Sequence, residues 1–175
     1  MGNLGIGAAS CYTAGVANPP FRVLFVCTGN ICRSAMAEQL LRHMAKERRL
    51  DVETGSCGTA AQSYYEVPQV VHRLLWELGL PKFEHKPRLA TREILRWADL
   101  ILVMTDAHRD HILERFPEFA GKLGLLRDEA GFGEEDVADP MGLPDDAYVR
   151  CLAVLRESLD ALAPKLAGKT SSPRP

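Results

Sequence analysis

Val23-Leu24-Phe25-Val26-Cys27-Thr28-Gly29-Asn30-Ile31-Cys32-Arg33-Ser34 passes from an unbroken apolar run into a short polar stretch that contains one glycine. Ala35 to Met44 then supplies good helix formers, with apolar side chains on one face at Ala37, Leu40, Leu41 and Met44. The stretch therefore reads as a buried strand, a tight loop and the start of a helix. Working outward, the same alternation recurs. Strands are expected at Arg22 to Val26, Val52 to Ser56, Leu100 to Met104 and Leu123 to Leu126. Helices are expected at Ser34 to Arg48, Val67 to Leu78, Thr91 to Trp97, Ala107 to Arg115 and Asp145 to Lys165. Strands alternating with helices imply an α/β fold, a three-layer αβα sandwich around a central four-stranded parallel sheet, Rossmann-like, with ligand sites beyond the carboxyl ends of the strands. Cys27 stands at one such end.

The junction suits an oxyanion. The first amides of a helix lack partners inside it and, together with the positive end of the helix dipole, point into the preceding loop. The same field favours a thiolate over a thiol, and cysteines at helix N-termini or near arginine have pKa values lowered from about 8.5 to roughly 3.5–7.5. Cys27 is accordingly expected to be a nucleophile, with the planar fork of Arg33 holding two oxygens of a phosphate. The Cys and Arg spacing alone is weak; it gains meaning from the strand, loop and helix around it.

With 175 residues, 46% hydrophobic and 25% charged, the chain has the composition of a single globular domain. A net charge of −2 leaves no electrostatic footprint for nucleic acid, and no apolar run approaches a membrane span. The five cysteines, Cys11, Cys27, Cys32, Cys57 and Cys151, are odd in number and irregular in spacing. They suggest neither a disulfide framework nor a zinc site, and a cytoplasmic setting is expected. Residues 1–20 are expected to be a flexible extension without a secretory signal, and Ile6 breaks the myristoylation pattern that Met1-Gly2 opens. The folded domain is expected over 21–167, followed by a loose tail at 168–175.

Val26 to Ser34 resembles the phosphate loop of the low-molecular-weight protein tyrosine phosphatase family, bacterial type, and the likeness extends over about residues 21 to 166. That family carries an Asp-Pro pair near its C-terminus, matched here by Asp139-Pro140. The resemblance implies hydrolysis of phosphotyrosine in a phosphorylated protein through a phosphocysteine, without metal or organic cofactor. Cys27 would be the nucleophile, Arg33 the phosphate clamp and Asp139 the general acid and base. Thr28, Gly29, Asn30, Ile31, Cys32 and Ser34 would surround the phosphate, with Asn30 bracing a strained turn and Ser34 donating to the Cys27 sulfur. Ser56 and His85 would be outer partners of Asn30. From the residues alone Ser56 also reads as a strand-end turn residue, His85 as a surface histidine, and Asp136, Asp145 and Asp146 compete with Asp139. Pro140 favours Asp139 by biasing it to extended backbone in a loop. Cys32 reads either as a redox partner that shields Cys27 or as packing behind the loop.

The chain also departs from the family pattern. Many members have aromatic residues after Asp-Pro, where this chain has Met141 and Gly142; Tyr64 and Tyr65 offer an opposite wall or are simply exposed. Ile31 resembles the tyrosine branch, since the protein-arginine phosphatase branch has Thr there, whereas Met104-Thr105 and Asp139-Pro140-Met141-Gly142 resemble bacterial members including that branch. Arsenate reductases share the loop but need a cysteine pair after the second helix, and none lies between Cys57 and Cys151. A phosphoarginine phosphatase and a non-catalytic anion-binding module remain the alternatives. The oligomeric state is open.

Overall fold

The computed structural model describes residues 19–169; the expectations for most of the N-terminal extension, for Cys11 and for the end of the tail lie outside the described residues. Four parallel strands, β1 (Phe21–Cys27), β2 (Val52–Gly58), β3 (Leu100–Val103) and β4 (Leu123–Leu125), form one sheet in the order β2-β1-β3-β4. The helices are α1 (Arg33–Arg48), α2 (Gln69–Glu77), α3 (Arg92–Trp97), α4 (Asp106–Arg115), α5 (Leu126–Ala130) and α6 (Asp145–Leu166), with a 3-10 turn at Pro117–Lys122. β1 alternates between two cores. Phe21, Val23, Phe25 and Cys27 pack toward α1, α2 and α6, whereas Leu24 and Val26 pack with Leu95, Ile101, Ile112 and Phe119 on the opposite face. A strand buried on both faces reads as a continuous apolar run, which is why this segment shows no alternation in sequence.

Sheet order positions the site. β1 pairs with β2 on one side and β3 on the other, so the chain direction across the sheet reverses at β1, and the loop after it opens into the crevice at that switch point. The helices differ from expectation at their ends. α2 begins at Gln69, because Pro68 occupies its N-cap, and stops before Gly79, whose φ of +83° ends the turn. α3 starts one residue later than expected and α4 one residue earlier, because Thr91 and Thr105 are their caps, with hydroxyls accepting from the Ile94 and His108 amides. β2 runs two residues beyond its expected end, to Gly58, and α5 was not foreseen.

Candidate active site

Gly58 explains how the loop is held. It lies opposite Cys27 in the β1–β2 register, and a Cβ built on it falls 2.3 Å from the Thr28 carbonyl oxygen and 3.0 Å from the Asn30 nitrogen. Only glycine lets β2 pass this close under the loop. The chain then ties itself there, with the Thr59 amide donating to the Cys27 carbonyl (2.8 Å) and Ala60 to that of Thr28 (2.9 Å).

Above this floor Asn30 has the left-handed φ of +58° that asparagine tolerates better than most residues, and it is fully buried. Its side chain donates to Ser34 Oγ (2.9 Å) and Ser56 Oγ (2.8 Å), and its Oδ1 accepts from the Arg88 amide (2.9 Å). Its carbonyl accepts from His85 Nε2 at 2.7 Å, which requires a proton on that nitrogen. Burial holds the His85 pKa below its usual value, opposed by this bond. Ser56 is wholly buried within β2 and donates to Glu38, which also pairs with Arg42. The structure thus sets both Ser56 and His85 against Asn30, and neither is a turn residue or a free surface histidine. Cys27, 2% exposed, has its sulfur 2.9 Å from Ser34 Oγ.

Arg33 enters from the first turn of α1 and is 4% exposed. Nη1 donates to the Val137 carbonyl (3.2 Å), Nη2 to Asp139 Oδ2 (2.5 Å) and, at the long limit, to Thr28 Oγ1 (3.5 Å). Its Nε is buried without a partner, an arrangement that an oxyanion would complete. Asp139 is exposed and its other oxygen accepts from the Met141 amide (3.1 Å). The competing acids are engaged elsewhere: Asp136 accepts from the Asp106 amide, Asp145 pairs with Arg73 and Asp146 with Arg150.

These groups surround a cavity of about 340 Å³ lined by Cys27, Thr28, Gly29, Ile31, Cys32, Arg33, Tyr65, Asp139 and Met141. Of the two candidate wall tyrosines only Tyr65 lines it; Tyr64 is 75% exposed and meets Tyr65 edge-on. A larger cavity of about 550 Å³ lies behind the loop against Glu38, Arg42, His85 and Trp97, and no cysteine lines it. Cys32 is buried at the N-cap of α1, and burial, reinforced by Cys27 and Asp139, pushes its thiol up to about 12. A thiol so hard to ionise is a slow attacker of disulfides. Among the described residues the cysteines are unbridged, no cluster of metal-ligating side chains occurs, and no helix is long and apolar enough to cross a membrane.

Sequence reasoning did not reach Glu38, Arg88, Gly58 or His108. The last, 6% exposed, bonds Thr28 Oγ1 through Nε2 (2.9 Å) and Thr105 Oγ1 through Nδ1 (2.8 Å). No local pattern marks any of them, because each acts across the fold.

The family model described as low molecular weight phosphotyrosine protein phosphatase matches residues 22–172. The chain is similar to the protein-arginine-phosphatase of Geobacillus stearothermophilus, 37% identical over 147 residues, covering 84% of this chain and 97% of that protein. It is similar also to the probable low molecular weight protein-tyrosine-phosphatase EpsP of Ralstonia nicotianae, 33% identical over 144 residues, covering 82% and 94%. Among solved structures it resembles the YwlE arginine phosphatase in a cysteine-to-serine form with a phosphorylated active-site serine. That likeness has a TM-score of 0.80 at 32% identity and covers 83% of this chain and 95% of that one.

Proposed function

We propose that this chain, which belongs to the low molecular weight phosphotyrosine protein phosphatase family, hydrolyses phosphotyrosine in proteins through a phosphocysteine at Cys27. The Cys27 sulfur attacks phosphorus in line, the phosphorus–oxygen bond to the phenol breaks, and Asp139 gives its proton to the leaving oxygen. Water then attacks the phosphocysteine, passes a proton back to Asp139, and the sulfur departs with the Ser34 hydroxyl donating to it. Loop amides and Arg33 carry the equatorial oxygens. In this reading a bound phosphate takes over the donors of Arg33 that now hold Asp139, freeing the acid for the leaving group.

The observation that carries the reading is that Arg33, whose buried Nε has no partner, lines the same cavity as Cys27. The choice of tyrosine rests on the wall of that cavity. Ile31, Tyr65 and Met141 offer apolar surface to a planar ring. A phosphoguanidinium keeps N–H groups that Ile31 cannot satisfy, and leaving them unpaired is costly. A second reading, phosphoarginine hydrolysis, is supported by the 37% identity to a protein-arginine-phosphatase.

Matched phosphotyrosine and phosphoarginine peptides decide between them. The wild type is expected to prefer phosphotyrosine by kcat/KM, with Ile31→Thr moving the ratio toward phosphoarginine by about 10- to 200-fold, the scale of one pocket contact. A wild-type preference for phosphoarginine would overturn the choice of substrate. The coarser reading, a phosphoprotein substrate, stands under either outcome.

A further inference from the structure

His108 sits in the first turn of α4, away from every element assigned a chemical role above, yet its ring spans two hydroxyls, one of them in the phosphate loop. Four contacts run in series. Thr105 Oγ1 lies 2.8 Å from His108 Nδ1, His108 Nε2 lies 2.9 Å from Thr28 Oγ1, Thr28 Oγ1 lies 3.5 Å from Arg33 Nη2, and that same Nη2 lies 2.5 Å from Asp139 Oδ2. The proton count orients the chain. Arg33 has donors only, so Thr28 Oγ1 accepts from it and its own hydroxyl proton is free for a lone pair at His108 Nε2. The ring then carries its proton on Nδ1 and donates to Thr105 Oγ1.

We propose that His108 is a positioning residue that acts through the Thr28 hydroxyl to orient the Arg33 guanidinium for phosphate. The inference rests on Arg33 being the phosphate clamp of the proposed function. It requires a neutral imidazole, because an imidazolium would donate from Nε2 and turn the Thr28 proton away. Burial, and next the charge of Arg33, bring the His108 pKa down to about 4, against the opposing pull of Asp139 and Asp136, with His111 adding to the depression from its own helix. A lysine or arginine at this position would set a second cation beside Arg33; an apolar residue would leave the Thr28 hydroxyl free to rotate.

Thr28→Val, His108→Phe and the double variant test the path with an aryl phosphate substrate and inorganic phosphate as competitive inhibitor. Each single change is expected to weaken phosphate inhibition and lower kcat/KM by about tenfold, as outer-shell partners of bound groups do. The double variant should lose no more than the worse single, since both remove one path. Losses that multiply, or phosphate inhibition left at the wild-type value, would overturn the inference. Because His108→Phe removes a buried ring hydrogen-bonded at both nitrogens, ¹⁵N NMR of the wild-type ring provides a second reading that does not depend on how the variant folds. The inference predicts an unprotonated Nε2 at neutral pH whose resonance shifts when vanadate binds, and a protonated Nε2 contradicts it. Arg33→Lys separates the two levels. Lost turnover there together with multiplying losses at His108 and Thr28 leaves the function standing and removes this inference, whereas full turnover in Arg33→Lys removes both.

Discussion

The nucleophile loop and the acid loop face each other across one cavity and are built in opposite ways. Residues 27–34 are braced from beneath by Gly58, and through Asn30 by Ser56, His85 and Arg88, with Glu38 behind Ser56 and with Cys27, Asn30, Arg33 and Ser34 nearly or wholly buried. Residues 131–144 are largely exposed and have little regular structure. They are fastened at Val137, whose amide donates to the Met104 carbonyl (2.8 Å) and whose carbonyl receives Arg33, and at buried Pro140. Between those anchors Asp139 projects from an exposed segment. The contrast teaches that the anion cradle is set before substrate arrives, because donors aimed at a developing charge work best when they need no rearrangement. The proton donor must exchange with solvent and with two successive oxygens, and an exposed loop permits it.

Substitutions on the two sides should therefore fail differently. The largest effect expected is on rate alone. Asp139→Asn should lower kcat by about 10²- to 10⁴-fold while its thermal midpoint stays near that of the wild type, as for most exposed positions. The loss should shrink for aryl esters whose phenols are already acidic. A large drop in thermal midpoint would show that the acid loop bears structure and break the contrast. On the other side Gly58→Ala should damage both properties, since its Cβ meets the Thr28 carbonyl oxygen. Overpacking of this kind costs about 1–3 kcal/mol in a urea titration, and phosphate affinity should fall with it.

The smallest effect sharpens the contrast through pH. His85 and His108 both have pKa values lowered by burial, the second to about 4. An unfolded histidine titrates near 6.5, so as pH falls below that value the unfolded chain takes up protons that the native cradle refuses. Stability is thus fully present above about pH 6.5 and lost progressively toward pH 4. Urea midpoints across this range should decline with acidity, and less steeply in a His108→Phe variant. Equal slopes would show that the ring is not part of the buried cradle.

Much of the cradle was legible before folding was considered. An apolar strand, a glycine-containing polar loop and an apolar helix face lie within about two dozen consecutive residues, and local periodicity reports local structure. Asp139 was legible only through its proline and its likeness to a family motif, since the Arg33 it meets is 106 residues away. Tyr65 and Tyr64 could not be separated, because which of two adjacent side chains turns inward is settled by the packing of the loop. Gly58, Glu38 and His108 left no trace, as their roles depend on distances across the fold. The five-residue α5 is too short to show a period.

The central claim, that the sulfur of Cys27 performs the attack in a cradle already shaped for phosphate, is tested most directly by single-turnover hydrolysis of an aryl phosphate by Cys27→Ser, with bound phosphate measured in the same sample. The account predicts that turnover disappears while phosphate still binds. Hydrolysis at the wild-type rate in that variant would contradict it.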